Sequence, residues 1–500
     1  MLEKIDLTKK MGKKEFKQTM EELSGKLGTL QRECRNLKIP VIIVFEGFGA
    51  AGKGTLINQL IQPLDPRGFN VYAINGESDD EQLRPFLWRF WTKTPENGRI
   101  AIFDRSWYRR VLIDRFDKVT TEKQLGHAYN EIVSFEQQLT DGGNVMIKFF
   151  LDITKKEQKK RFDKMLESKE TAWKVSKGDL KRNKHFEEYK MMNEEMLQKT
   201  DTDFAPWTII EVMDREYAAV KIITTVVNCL EKRVANQKEL KRLAREEEKL
   251  ENKEVDETKS GFHSSVLSSV DLSLTYTKEE YKERLDELQK KLALLHSELY
   301  RRRIPVILGF EGWDAGGKGG AIKRVTQCLD PRGYEVNPTA APNDIEKAHH
   351  YLWRFWQTFP KAGHIALYDR TWYGRVMVER IEGFCSTQEW KRAYKEINDL
   401  EATLAHSGAV VLKFWMQIDK EEQERRFKER MENPEKQWKI TDEDWRNREK
   451  WDAYEAAVDE MLIRTSTTYA PWIIVEGNCK YYARIKVLET IVEALESRIK

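Results

Sequence analysis

The sequence predicts an α/β protein in which one parallel-sheet domain is written twice. Three observations carry this expectation. Residues 40–221 and 305–486 correspond at a constant offset of 265 positions, as in Glu46/Glu311, Lys53/Lys318, Asp104/Asp369, Lys148/Lys413 and Trp207/Trp472. In both copies short apolar runs alternate with helix-like stretches, the pattern of parallel strands joined by helical crossovers. Each first apolar run ends in a glycine-rich turn. A period this long means a duplicated whole domain and not a solenoid of short units. Every residue can therefore be compared with its twin.

Each copy opens with a charged helix, residues 14–37 and 278–303, that ends in a basic run before Ile-Pro. Val41–Phe45 and Val306–Phe310 follow as buried parallel strands. A glycine-rich turn and a helix come next. The turn Asp65-Pro66-Arg67-Gly68, or Asp330-Pro331-Arg332-Gly333, leads to second strands at 69–75 and 334–339. A helix carrying Leu-Trp-Arg-Phe-Trp precedes third strands at 100–104 and 365–369, which stop on Asp-Arg. Fourth strands fall at Val145–Leu151 and Val410–Met416, and the last at 207–212 and 472–476. Between them, about fifty residues dense in Lys, Arg, Glu and Trp exceed what a crossover needs and read as a helical lid.

These elements place an N-terminal domain at 1–235, a charged linker at 236–270 and a C-terminal domain at 271–500. Five hundred residues, 40% of them hydrophobic, exceed what one core uses. The linker segment 236–260 is almost all charged and reads as a solvated helix or a tether. Over the whole chain, 86 basic and 83 acidic residues leave a net charge of +3, so no nucleic-acid partner is expected and any anion site must be local. Five cysteines without a C-x-x-C suggest neither a disulfide framework nor a zinc site. The start of the chain has no apolar leader, and no stretch approaches eighteen uncharged apolar residues, so no membrane association and a cytoplasmic location are expected. The oligomeric state is left open, although an internal tandem can replace a homodimer interface.

Gly312-Trp313-Asp314-Ala315-Gly316-Gly317-Lys318 fits G-x-x-x-x-G-K between a predicted strand and a predicted helix. In that setting backbone N–H groups wrap a phosphate chain, the helix N-terminus favours negative charge, and the Lys ammonium reaches phosphate oxygens. The pattern recurs at Gly47–Lys53. The Ser or Thr that normally follows the Lys and holds Mg²⁺ is Gly54 in one copy and Gly319 in the other. Asp314, inside the loop, is the substitute ligand. Its twin is Gly49, so the first copy is expected to bind metal poorly.

Asp369-Arg370-Thr371-Trp372-Tyr373-Gly374-Arg375, matching Asp104-Arg105 through Arg110, stands where the third strand leaves the sheet. Asp369 there anchors magnesium or its water shell, or else forms a structural salt bridge. Arg370 and Arg375 are forks able to grip phosphate, and Arg370 has the alternative of pairing with a neighbouring carboxylate. Trp372 and Tyr373 read as packing residues. On the lid, Arg425, Arg426 and Arg430 supply cations to a closing site; the first copy keeps Arg161 but has Lys160 and Met165 at the other two positions. Arg354 and Asn343-Asp344 are weaker candidates for contacts with an acceptor nucleotide, since an Asn-Asp pair also caps helices. His349 and His350 read as surface or supporting residues.

This combination resembles the polyphosphate kinase 2 family. The residues that carry the resemblance are Glu311 through Gly319, Tyr351-Leu352-Trp353-Arg354, Asp369 through Tyr373, Arg426-Phe427, Arg430, Trp438-Lys439 and Ala470-Pro471-Trp472. It covers nearly the whole chain except the linker, and the tandem resembles the family's two-domain branch. The resemblance implies a P-loop kinase-like three-layer fold, duplicated, that moves the terminal phosphate of inorganic polyphosphate to AMP, giving ADP, with Mg²⁺ or Mn²⁺. It implies that Asp314 and Asp369 serve the metal and acceptor orientation, while Lys318, Arg370, Arg375, Arg426 and Arg430 neutralise the chain. Gly312, Ala315, Gly316, Gly317 and Gly319 form the cradle. Gly49, Lys53, Asp104, Arg105, Arg110 and Arg161 are then its degenerate counterparts, and the second copy is the catalytic one. An ATP-dependent nucleotide kinase, a polyphosphate kinase using ADP and a non-catalytic polyanion scaffold are the competing readings.

Overall fold

The first strands of the two copies, β1 (Val41–Gly47) and β6 (Val306–Gly312), are buried at six of seven positions. Such continuous burial belongs to strands covered on both faces by helices. The computed structural model describes residues 1–247, 266–435, 437–440 and 442–500.

In the first copy α1 (Lys13–Leu37) precedes β1, and α2 (Lys53–Ile61), β2 (Phe69–Ala73), α3 (Asp79–Gln82) and α4 (Trp88–Trp91) follow. Next come β3 (Ile100–Asp104), α5 (Ile113–Phe116), α6 (Glu122–Asp141) and β4 (Val145–Asp152). The lid helices α7 (Lys155–Glu167), α8 (Lys177–Lys184) and α9 (Phe186–Thr200) lead to β5 (Trp207–Glu211) and α10 (Arg215–Glu247). The second copy repeats this with α11 (Lys278–Arg302), β6, α12 (Lys318–Thr326), β7 (Tyr334–Pro338), α13 (Asp344–Lys347) and α14 (Trp353–Trp356). It continues with β8 (Ile365–Asp369), α15 (Val378–Ile381), α16 (Thr387–His406) and β9 (Val410–Gln417). Its lid is α17 (Lys420–Glu432), α18 (Asp442–Glu449) and α19 (Trp451–Thr465), before β10 (Trp472–Glu476) and α20 (Lys480–Ile499). Of the expected linker, the stretch up to Glu247 is the end of α10, and 248–265 lie outside the described residues.

Each sheet has five parallel strands, in the order β2-β3-β1-β4-β5 and β7-β8-β6-β9-β10. Register decides where chemistry can occur. Phe310 pairs with Asp369 and Gly312 with Met416, so the loop after β6 and the turn after β8 leave the same edge of the sheet, at strand C-termini. One face of the second sheet is covered by α11, α12 and α20 through Leu288, Leu292, Ile322, Val325, Leu488 and Ile491. On the other face, a buried ion pair joins Lys413 of β9 to Glu401 of α16 at 2.7 Å. Glu401 also accepts hydrogen bonds from the Trp372 indole and the Tyr373 hydroxyl. This network fixes the segment that follows Asp369, and Lys148, Glu136, Trp107 and Tyr108 repeat it in the first copy.

Two compact units follow the two copies except for one short segment of each. Unit 1 comprises Met1–Glu77, Arg89–Lys253 and Asn343–Trp353; unit 2 comprises Ser78–Trp88, Glu254–Pro342 and Arg354–Lys500. Each unit includes a short helical segment from the other copy.

Candidate active site

The loop of unit 2 is shaped by backbone that only small residues permit. Gly312 adopts φ 144° with the Met416 carbonyl 2.6 Å from where a β-carbon would stand, so the loop turns directly over β9. Lys318 opens α12, and its ammonium donates to the carbonyls of Gly312 (2.8 Å) and Trp313 (3.2 Å). A β-carbon at Gly319 would meet nothing within 4 Å, so its glycine is not demanded by crowding.

The turn after β8 faces this loop. Arg370 takes the left-handed conformation (φ 65°) and its N–H donates to the Phe310 carbonyl. The amide and hydroxyl of Thr371 both donate to Glu311, at 2.6 and 2.7 Å. Burial pushes the Glu311 carboxyl upward, against those donors and the Lys318 charge. So constrained, Arg370 extends its guanidinium to Asp314 at 3.2 Å. This is the carboxylate-pairing alternative for Arg370, and it brings together two of the expected site residues. The other Asp314 oxygen accepts from Asn447 of α18 at 3.1 Å.

Besides Asn447, three lid side chains meet the loop. Gln423 donates to the Asp314 carbonyl (3.1 Å). Arg426 is only 3% exposed and donates to the carbonyls of Ala315 (2.9 Å), Gly477 (2.6 Å) and Asn478 (3.1 Å), with Glu422 as its ion-pair partner. These donors tie α17 to the loop and to the end of β10, while Arg426 also lines the cavity against Gly316 and Gly317. Trp451 stacks on Trp313 with ring centroids 3.6 Å apart and planes 7° apart. A cavity of about 100 Å³ next to this stack is lined by Trp313, Asp314, Arg370, Asn447 and Tyr454.

A second cavity of about 210 Å³ lies against Gly316, Gly317 and Gly320, with the cations Arg426, Arg430, Lys480 and Arg484 and the single carboxylate Glu429 on its wall. Burial, followed by the neighbouring Arg426, pushes the Lys480 ammonium downward. Of these, Arg430 is a residue to which the sequence pointed, whereas Lys480 and Arg484, on α20, were not among its candidates. The twins held the signal: Arg484 is matched by Ala219, Arg430 by Met165 and Gly320 by Thr55.

The other residues singled out in the sequence make local contacts. Arg375 pairs with Glu379 at 3.1 Å. Asn343 caps α13, its side chain accepting from the Glu346 amide at 2.9 Å, and Asn343 and Asp344 belong to unit 1 and not to the unit that holds Asp314. For Asn343 this is the capping alternative that the sequence also offered. Arg354 donates to the Ala340 carbonyl. Trp372 and Tyr373 are buried packing residues. His349 stacks on Trp353, and His350 packs on Trp91.

In unit 1 the loop lysine is more enclosed. Lys53 is 8% exposed, donates to the carbonyls of Gly47 and Phe48, and is pushed down to about 8 by burial and then by Arg105. Arg105 lies 4.0 Å from Asp179, a residue of α8, and Arg110 pairs with Glu77. Arg161 donates to the carbonyls of Ala50, Ala51 and Val212, the same latch as Arg426. Asp104 ends β3 as Asp369 ends β8.

The polyphosphate kinase 2 family model matches residues 10–238 and again 275–500. The chain is 40% identical to the polyphosphate:AMP phosphotransferase of Pseudomonas aeruginosa (strain PAO1), over 100% of this chain and 99% of that one. It is 39% identical to the enzyme of the same description from Pseudomonas syringae pv. tomato, over 92% and 91% of the two chains. A solved structure described as a polyphosphate kinase 2 from Pseudomonas aeruginosa PA01 superposes with a TM-score of 0.85 at 38% identity, covering 100% of this chain and 99% of that one. Carrying two copies of the matched domain, this chain belongs to the polyphosphate kinase 2 family.

Proposed function

We propose that unit 2 transfers the terminal phosphoryl group of inorganic polyphosphate to a phosphate oxygen of AMP, and that unit 1 does not turn over. The observation that carries this reading is the cation-walled cavity against Gly316 and Gly317, whose Arg430 and Arg484 the first copy lacks. A chain of phosphates needs such a wall beyond the loop itself, whereas a single nucleotide tail ends within it.

In this reading the polyanion occupies that cavity, with its end at the loop amides. Lys318 exchanges its two loop carbonyls for phosphate oxygens. AMP enters from the cavity lined by Asp314, Arg370 and Trp313, and Arg370 grips its phosphate. The bond between the last two phosphates breaks, a new P–O bond forms to AMP, and the shortened chain leaves with the bridging oxygen. Positioning and charge neutralisation supply most of the rate.

A divalent metal is expected of this family, and we assign Mg²⁺, with Mn²⁺ able to replace it. Among the described residues no three His, Cys, Asp or Glu side chains form a metal group by themselves. Magnesium takes one or two carboxylates and completes its shell with phosphate and water oxygens. Asp314 and Asp369 are the residues assigned to it, and the ion would neutralise charge on the phosphoryl oxygens. Among the described residues no helix is long and apolar enough to cross a membrane, and a cytoplasmic location is part of this reading.

The test is AMP offered with either long-chain polyphosphate or ATP, on wild type, Asp314→Asn and Asp369→Asn. ADP formation with polyphosphate, reduced about a hundredfold or more by either substitution, is expected. Activity with ATP alone rejects the donor, and an undiminished Asp314→Asn rejects the site.

A further inference from the structure

Unit 2 includes Ser78–Trp88, a stretch of the first copy. We propose that Arg84 and Asp80 on this stretch are positioning residues for the phosphoryl-transfer site of unit 2, so that the catalytic copy is incomplete without its degenerate twin. The proposal rests on the assignment of catalysis to unit 2.

The two exchanged segments are attached alike through backbone and differently through side chains. Ala362 N–H donates to the Leu83 carbonyl at 2.7 Å in unit 2, and the twin atoms, Asn97 N–H and the Ala348 carbonyl, meet at 2.8 Å in unit 1. Beyond this shared bond the symmetry ends. Arg84 donates to the Phe359 carbonyl at 2.5 Å, with its guanidinium 4.3 Å above the Trp88 ring. Asp80 pairs with Lys361 at 2.5 Å. The twins of Asp80 and Lys361 are Ile345 and Glu96, which cannot form an ion pair. The twin of Arg84 is His349, whose ring lies on Trp353 and whose Nδ1 meets the Ile345 carbonyl.

What Arg84 holds is connected to the chemistry. Phe359 is 1% exposed, and its ring packs edge-on against Trp372 (5.9 Å between centroids) and Tyr368 (6.2 Å). Tyr368 immediately precedes Asp369, and Trp372 immediately follows Arg370-Thr371. Phe359 therefore braces both ends of the turn that presents Asp369 and Arg370. Its twin is Thr94, which has no ring. The brace and its Arg84 anchor occur together, in the unit that keeps Asp314. Close packing transmits a shift of Phe359 to that turn, and a misplacement of about 1 Å costs up to about a hundredfold in rate.

The experiment uses the full chain with AMP and polyphosphate. Arg84→Ala is expected to lower kcat about tenfold with KM for either substrate within about twofold, because Arg84 touches neither. Arg84→Lys recovers part of the loss, and the twin change His349→Ala leaves kcat unchanged. Asp80→Lys lowers kcat, and adding Lys361→Asp restores it to within about twofold of wild type. A kcat for Arg84→Ala within twofold of wild type, or a double reversal as impaired as the single one, overturns the proposal. Should Arg84→Ala not fold, the charge reversal decides alone. A wild type inactive on this substrate pair refutes the functional reading instead, and is thereby told apart.

Discussion

Asp179 places a carboxylate oxygen 3.2 Å from the point where a β-carbon on Gly49 would stand. The acidic group that the loop of unit 1 lacks is thus present, delivered from α8. Its setting is altered. Arg182 donates to it at 3.0 Å and Arg105 lies 4.0 Å away, whereas Asp314 has one guanidinium and the neutral Asn447. Two cations around one carboxylate leave little negative potential for a metal.

Restoring the loop residue should therefore fail. Gly49→Asp presses a β-carbon to 3.0 Å from the Phe162 ring and sets a second carboxylate beside Asp179. We expect unit 1 to lose about 1–3 kcal/mol in urea unfolding. A chain carrying Gly49→Asp together with Asp314→Asn should form no more ADP than Asp314→Asn alone, and recovered turnover would show that unit 1 is repairable at one position.

The cavity wall gives a sharper test of the donor. Arg484→Ala and Arg430→Met copy the first copy's residues into the second. Each should raise KM for polyphosphate by roughly tenfold, the worth of one charged hydrogen bond, and leave KM for AMP alone. The salt dependence of that KM should also become shallower. Steady-state kinetics at two ionic strengths decides, and an unchanged polyphosphate KM removes the chain from this cavity.

Much of this was legible in the sequence, and the failures have physical causes. The strands and the loop were readable because buried parallel strands are continuous apolar runs and because the loop's spacing is tied to its backbone geometry. Arg370 was readable only as two alternatives, since a guanidinium after a strand suits phosphate and carboxylate equally. The carbonyl contacts of Arg426 were not readable because a lid arginine's sequence does not say which carbonyls stay unpaired without it. Arg484 was overlooked inside a long amphipathic helix, where one cation among several carries no mark. The exchange of Ser78–Trp88 and Asn343–Trp353 left no trace because the two segments follow twin strands, and nothing in either fixes which sheet it joins.

Arg426→Lys should behave as a broken latch and not as a conserved charge. A single ammonium cannot reach three carbonyls from the position of a planar fork, so at least one buried acceptor is left unpaired, at about 1–3 kcal/mol. The unfolding midpoint of unit 2 should fall and kcat with it, while the polyphosphate salt dependence stays as in wild type. Full activity in the Lys variant would return Arg426 to the substrate.

Lys53 supplies a test that depends on pH. Burial, then Arg105, holds its ammonium down to about 8 from an ordinary 10.5. A base depressed by folding contributes its stability above the unfolded value and loses it as pH falls through the folded one. At pH 7 the charged lysine is retained in unit 1 at a cost of about 3 kcal/mol, partly offset by its bonds to the Gly47 and Phe48 carbonyls. Lys53→Met removes the cost and orphans two carbonyls at about 1–3 kcal/mol each, so the two effects roughly cancel near neutrality. Between pH 8 and 10.5 the wild-type lysine loses its proton in the fold before it does so in the unfolded chain, and the variant should fall steadily behind wild type. Urea midpoints of the two proteins at pH 7, 9 and 10.5 measure this difference directly. A difference that stays constant with pH would mean that Lys53 carries its charge in unit 1 without penalty.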